Sequence, residues 1–128
     1  MSLTAAIVQI LVTNAAVAAI TTRVRPLVLD DPDVPPAVVV NQISEPVIER
    51  FGGKPKHATA RVQVDAWAAT FDGAETLGAA VYNALQDYSG TSEGVVIQSL
   101  RQMTGAPTFE SETGRYRVMR DFEVFYDL

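Results

Sequence analysis

An α+β fold, with a mostly antiparallel sheet and helices packed on one face, is predicted by three observations. Near Asp72 the apolar period changes from two residues to between three and four, so a strand runs directly into a helix. The end of the chain, from Tyr116 to Tyr126, alternates like a half-buried strand. The first twenty residues show helical rather than strand spacing. The element order reads α-α-β-β-β-α-β-β, which puts helices and antiparallel strands in two layers.

Ser2 caps a first helix whose Leu3, Ile7, Ile10 and Leu11 share one face. Thr13 or Asn14 then caps a second short helix through Val17 and Ile20. The stretch 3–20 is apolar, but no Lys or Arg precedes it, and Gln9, Thr13 and Asn14 interrupt it. It therefore reads as a helix pair rather than a signal peptide or membrane span.

Arg23–Leu29 reads as a short strand. Asp30, Asp31, Pro32, Asp33, Val34, Pro35 and Pro36 form a loop, because the prolines suit neither a helix nor a central strand. Ala37–Ile43 is a β-branched run expected to continue to Ile48 across Pro46, at an edge or bulge. Arg50–Ala58 carries the glycines and proline of a hairpin loop.

From Thr59 the next strand puts Val62, Val64, Ala66 and Ala68 on one face, and Arg61, Gln63, Asp65 and Trp67 on the other. Asp72 and Glu75 have capping-box spacing. The helix over 73–88 carries a small-sided stripe: Ala74, Leu77, Gly78, Val81, Ala84, Leu85 and Tyr88. Val95–Met103 reads as a strand ended by a Gly-Ala-Pro break, and 112–114 as a turn. The last strand directs Tyr116, Val118, Phe122, Val124 and Tyr126 inward, and Arg117, Asp121 and Glu123 outward. Arg120 falls on the inward side, which calls for a bulge or an ion pair.

At 128 residues the chain has the length of one domain, 1–128. A net charge of −5 gives no bulk attraction to nucleic acid or an anionic membrane. The chain has no cysteine, which excludes disulfides, thiolate catalysis and cysteine-held metals. His57, the single histidine, is placed in a loop beside Lys54 and Lys56, without the positioned partner a general base needs. Asp30, Asp31 and Asp33 resemble a calcium-type oxygen cluster but lack the glycine and bidentate glutamate of an EF-hand. Gly52-Gly53-Lys54 lacks the remaining residues of a phosphate loop. No catalytic residue, cofactor or metal is expected.

Two features point to contacts instead. Arg50, Lys54, Lys56 and His57 gather positive charge in one loop of an acidic chain; the segment is either a solvated tip or a contact for a polyanion or acidic partner. On the polar face, Arg61, Asp65 and Trp67 sit where Arg117, Asp121 and Glu123 of the last strand can pair with them. A tryptophan on a charged face suggests a covering loop or a protein–protein contact.

The combination "ARVQVDAWA", "AETLGAAVYNAL" and "FESETGRYRVMRDFEVFY", preceded by "NAAVAAI" and an Arg-led strand, resembles the tail-completion, or tail-terminator, family of long-tailed bacteriophages. The likeness covers nearly the whole chain in order. One departure is "DVPPAVVV", where Ala37 follows Pro36 and relatives commonly carry an aromatic residue, so the family's contacts at that loop are not carried over. The resemblance implies a non-enzymatic virion protein that forms a ring, a hexamer in the family, at the head-proximal end of the tail tube. It implies the tail tube protein and a head–tail connector or head-completion protein as partners, with transient contact to DNA in the channel and none to a membrane. Assembly would begin in the host cytoplasm and end in the virion neck. Two alternatives stand beside it: another neck protein, and a small ligand-binding or enzymatic domain using Asp65, Arg61 and Arg120 in a cleft.

Overall fold

The structure, a computed structural model, describes residues 2–26, 35–44, 47–49, 57–111 and 113–127. Helix α1 (Leu3–Thr13) starts at Ser2, whose hydroxyl accepts from the Ala5 amide at 3.2 Å. Its buried face is Leu3, Ala6, Ile7, Ile10 and Leu11. Of the two expected second caps, Asn14 is the one used: its side-chain oxygen accepts from the Ala16 and Val17 amides, each at 3.1 Å. That opens α2 (Ala15–Ala18), which ends before Ile20.

The strands are β1 (Val24–Pro26), β2 (Ala37–Gln42), β3 (Val47–Glu49), β4 (His57–Ala68), β5 (Gly90–Ser92), β6 (Val95–Glu110) and β7 (Arg115–Asp127). Helix α3 (Phe71–Leu85) lies between β4 and β5 in sequence. The sheet order is β1-β2-β4-β7-β6-β5, with β3 also on β4. Every pairing is antiparallel except β1 with β2. The sheet curls so that α1 touches both β1 and β5, and the Ser92 hydroxyl donates to the Ala6 carbonyl at 2.8 Å inside the core.

The expected continuous strand from Ala37 to Ile48 is two strands that share one side of β4. β2 faces 62–67 and β3 faces 57–59. Between them Ile43 donates to the Arg61 carbonyl at 2.9 Å, and the Ser44 hydroxyl accepts from the Arg61 amide at 2.9 Å. A side chain thus replaces the strand carbonyl at the break, leaving that backbone donor satisfied.

On the helix-covered face, Ala60, Val62, Val64 and Ala66 of β4 and Val118, Phe122 and Val124 of β7 are buried beneath α3. The capping box expected at Asp72 and Glu75 does not form. Thr70 is the N-cap, accepting from the Gly73 amide at 3.0 Å, and Asp72 falls in the first turn, where its charge suits the helix dipole. The buried stripe is Ala74, Leu77, Gly78, Ala80, Val81 and Leu85, while Ala84 is half-buried and Tyr88 lies beyond the helix. At Gly78 an added Cβ would stand 2.8 Å from a Val118 methyl, so the helix sits as low on the sheet as its small stripe allows.

Two further strand features differ from expectation. β5 forms a tight hairpin with β6 through Glu93 and Gly94, both at positive φ, the backbone that a two-residue hairpin needs. β6 does not stop at Gly105-Ala106-Pro107 but runs on to Glu110. Beyond β5 it is a sheet edge, where a proline without an amide hydrogen is tolerated.

Among the described residues Arg120 has no ion pair, and a bulge lies beside it on β6, where the β6–β7 register shifts between Gln102 and Thr104, next to the pair Gly105↔Arg120. The β4–β7 register is unbroken at Val64↔Arg120. Its Nε donates to the Gly78 carbonyl at 2.8 Å, its Nη1 to Gln102 Oε1 at 2.8 Å, and its guanidinium lies 5.4 Å over the Tyr82 ring.

Candidate functional site

Strand alternation and the β4–β7 register fix what the face away from α3 presents. His57, Thr59, Arg61, Gln63, Asp65 and Trp67 of β4 stand opposite Asp127, Phe125, Glu123, Asp121, Met119 and Arg117 of β7. Arg61 reaches diagonally past Glu123 to pair with Asp121. Glu123 instead faces Arg101 of β6 at 3.6 Å. Arg117 approaches Asp65 at 3.8 Å and lies 5.5 Å over the Trp67 ring. The expected pairing of the two strands' outward residues is therefore present, with these specific partners.

The face is more enclosed than a solvated charged surface. Asp65 is 8% exposed and Asp121 5% exposed. Burial pushes the Asp65 carboxyl above its usual range, against the lowering effects of the Gln63 amide, which donates to both its oxygens at 3.1 Å, and of Arg117. Asp121 Oδ1 and Arg117 Nε are buried without a hydrogen-bond partner among the described residues. Met119 and Phe125 are half-buried in the same row.

His57 is the first residue of β4, not a loop residue. Its Nδ1 lies 2.9 Å from Asp127 Oδ1, Gln98 Nε2 donates to both Asp127 oxygens at 3.1 Å, and the Phe125 ring centroid is 5.1 Å away. Its partners are thus a carboxylate, also held by the Gln98 amide, and a phenyl ring. The cleft of Asp65, Arg61 and Arg120 does not exist: Arg120 points under α3, while the other two lie on the opposite face. Arg50, Lys54, Lys56, Asp30, Asp31 and Asp33 lie outside the described residues. Among the described residues no cluster of three or more His, Asp or Glu is placed to hold a metal ion.

Sequence reasoning missed a second surface. Phe71 and Phe109 are exposed and flank Tyr116, at centroid distances of 6.1 and 4.8 Å. They edge a groove of about 170 Å³ between the start of α3 and the end of β6. The signal available was an aromatic residue just before a helix cap box and another after Gly-Ala-Pro; nothing in one sequence told that the two meet.

The fold is thus a curled, mostly antiparallel sheet with helices on one face and paired charges around a Trp–Arg stack on the other. The profile of the family described as Tail completion protein gp17 matches residues 5–127, and the chain belongs to that family. Membership makes it a structural protein of the tail or neck of a phage or phage-like virion. Among solved structures it is similar to a chain of "Virion of native gene transfer agent (GTA) particle", with a TM-score of 0.80 and 18% identity over 99% of this chain and 96% of that one. At that identity the likeness is one of fold. A search of curated protein sequences finds no match.

Proposed function

We propose that the protein acts as one domain that assembles into a homo-oligomeric ring, six-fold as in its resemblance, at the head-proximal end of the tail tube. There it ends tube growth and offers the surface to which a connector or head-completion protein binds. The observation that carries this reading is the family match over 5–127, on a fold whose one face is covered by α3 while no described helix covers the other. A sheet covered on one side leaves its second face and edges for neighbours, and a head-to-tail contact closes into a ring when the rotation allows. On that other face Arg61, Trp67 and Arg117 supply Arg and aromatic anchors of the kind common at protein interfaces, with the buried Asp65 and Asp121 as their pairing carboxylates. His57 with Arg50, Lys54 and Lys56 would supply positive charge toward an acidic partner or DNA in the channel.

The test is the mass of the assembled protein, alone and on isolated tail tubes, together with tail length in particles made without it. A defined ring on tube ends and over-long tails in its absence are expected. A strict monomer that leaves tube length unchanged would overturn the reading.

A further inference from the structure

The outermost charge differs in sign between the helix layer and the opposite face of the sheet. No Lys or Arg occurs before Arg23 or from Val62 to Leu100, so α1, α2 and α3 carry none. Helical spacing turns Asp72, Glu75, Thr76, Ala79 and Asn83 of α3 outward, and all five are exposed. Asp87 and Glu93 follow the helix at exposed positions. Among the described residues Asp72, Glu75 and Glu93 have no ion pair. Arg120, the cation beneath α3, is already held by the Gly78 carbonyl, Gln102 and the Tyr82 ring.

On the opposite face the arginine is the outer member of each arginine–carboxylate pair. Arg61, Arg101 and Arg117 have side-chain exposures of 47, 63 and 31%, against 7, 35 and 11% for their partners Asp121, Glu123 and Asp65. The register puts Arg61 of β4 and Arg101 of β6 on either side of Glu123, in one row across three strands. A guanidinium has more N–H donors than one carboxylate contact uses. Among the described residues the ion-pair contact of Arg101 is the one to Glu123 at 3.6 Å, so its donors remain for an acceptor outside the chain.

We propose that the acidic outer face of α3, centred on Asp72 and Glu75, docks on the Arg61–Arg101 row of a second copy of the same chain. Each patch attracts the other and repels its own kind, so a two-fold contact that used either patch twice is disfavoured. The two patches lie on opposite sides of one sheet, so the contact repeats head-to-tail, as a ring requires. A polyanion in the channel would account for the arginine row alone; a second copy accounts for both patches. The inference rests on the ring reading and deepens it by naming the two surfaces that meet.

The test uses the full chain with Glu75→Lys, with Arg101→Glu, and with both changes together. Both side chains are exposed, and thermal unfolding checks that each variant folds. Light scattering at a series of salt concentrations reads mass. Each single variant sets like charges against each other at every contact, and is expected to weaken self-association by roughly three- to tenfold at low salt. The double variant restores opposite charges and is expected to recover most of that loss. Wild-type association is expected to weaken as salt rises. Single variants that assemble like wild type, a double variant no better than the singles, or wild-type association indifferent to salt overturn the proposal and leave the ring reading in place. A loss in Arg101→Glu with none in Glu75→Lys also overturns it, and assigns the arginine row to another anion such as DNA phosphate. A wild-type protein that stays monomeric alone and on tubes overturns the ring reading and this proposal with it.

Discussion

Arg120, on the helix-covered side of β7, gives its Nε hydrogen to the carbonyl oxygen of Gly78 at 2.8 Å, so a cation in the core layer is held by the helix backbone rather than by a carboxylate. The contact requires α3 to lie close on the sheet, which the absence of a side chain at Gly78 permits. Gly78→Ala should therefore cost about 1–3 kcal/mol by overpacking, although alanine is the better helix former. The new methyl would meet Val118 at 2.8 Å and lift the helix away from Arg120. Urea unfolding measures it, and a neutral or stabilising result would show that the helix can rise without loss.

Leu77 and Leu85 are fully buried beneath α3. Leu77→Ala and Leu85→Ala should each destabilise by about 2–5 kcal/mol, the range for removing a large side chain from a packed core. Changes below about 0.5 kcal/mol, as at ordinary surface sites, would mean that the core relaxes around the loss.

Much of this core was legible because burial imposes periodicity. The alternation of Val62, Val64 and Ala66 and the stripe of Leu77, Val81 and Leu85 follow directly from strand and helix geometry. What failed was local competition. Thr70 and Asp72 both offer a capping oxygen, and the chain uses the threonine, so the helix begins earlier than the Asp-Glu spacing suggests. Gly105 and Pro107 read as a break because the edge position of β6, which tolerates them, is a property of the sheet and not of the segment. The open face was legible as a group of residues but not as pairs. Arg61 chooses Asp121 over the directly opposed Glu123, and only the register and the reach of the side chain decide that.

Asp65 makes stability depend on pH with a defined sign. Its folded pKa lies above that of the unfolded chain because burial disfavours the carboxylate. Between those two values the folded state binds more protons than the unfolded chain, so stability falls as pH rises through that window. Protonation restores it at lower pH. Asp65→Asn removes the titration, so wild type should lose stability relative to the variant between about pH 4, close to the unfolded value, and pH 7. Parallel unfolding curves at the two pH values measure this; a wild type that gains on the variant toward pH 7 would show that Arg117 and Gln63 outweigh burial.

In sequence, Arg50–Lys56 lies between β3 and β4, which pair antiparallel up to Glu49↔His57. Its cations contrast with a net charge of −5. Within the proposed ring they would meet an anionic partner: DNA in the channel, or acidic residues of a neighbour such as Asp30, Asp31 and Asp33. Exposed ion pairs contribute only about 0–1 kcal/mol, so the segment should matter little to folding and more to association, whose rate falls with salt. The Lys54→Glu, Lys56→Glu double variant should unfold like wild type while capping tail tubes more slowly and with less salt dependence. His57→Ala, which removes only a half-exposed contact to Asp127 and Phe125, should leave folding and capping unchanged and so serves as the local control. Capping kinetics at low and moderate salt separate the outcomes. Unaltered capping by the double variant would make the segment a solvated hairpin tip, whereas loss of capping in His57→Ala alone would assign the contact to the histidine instead of the lysines.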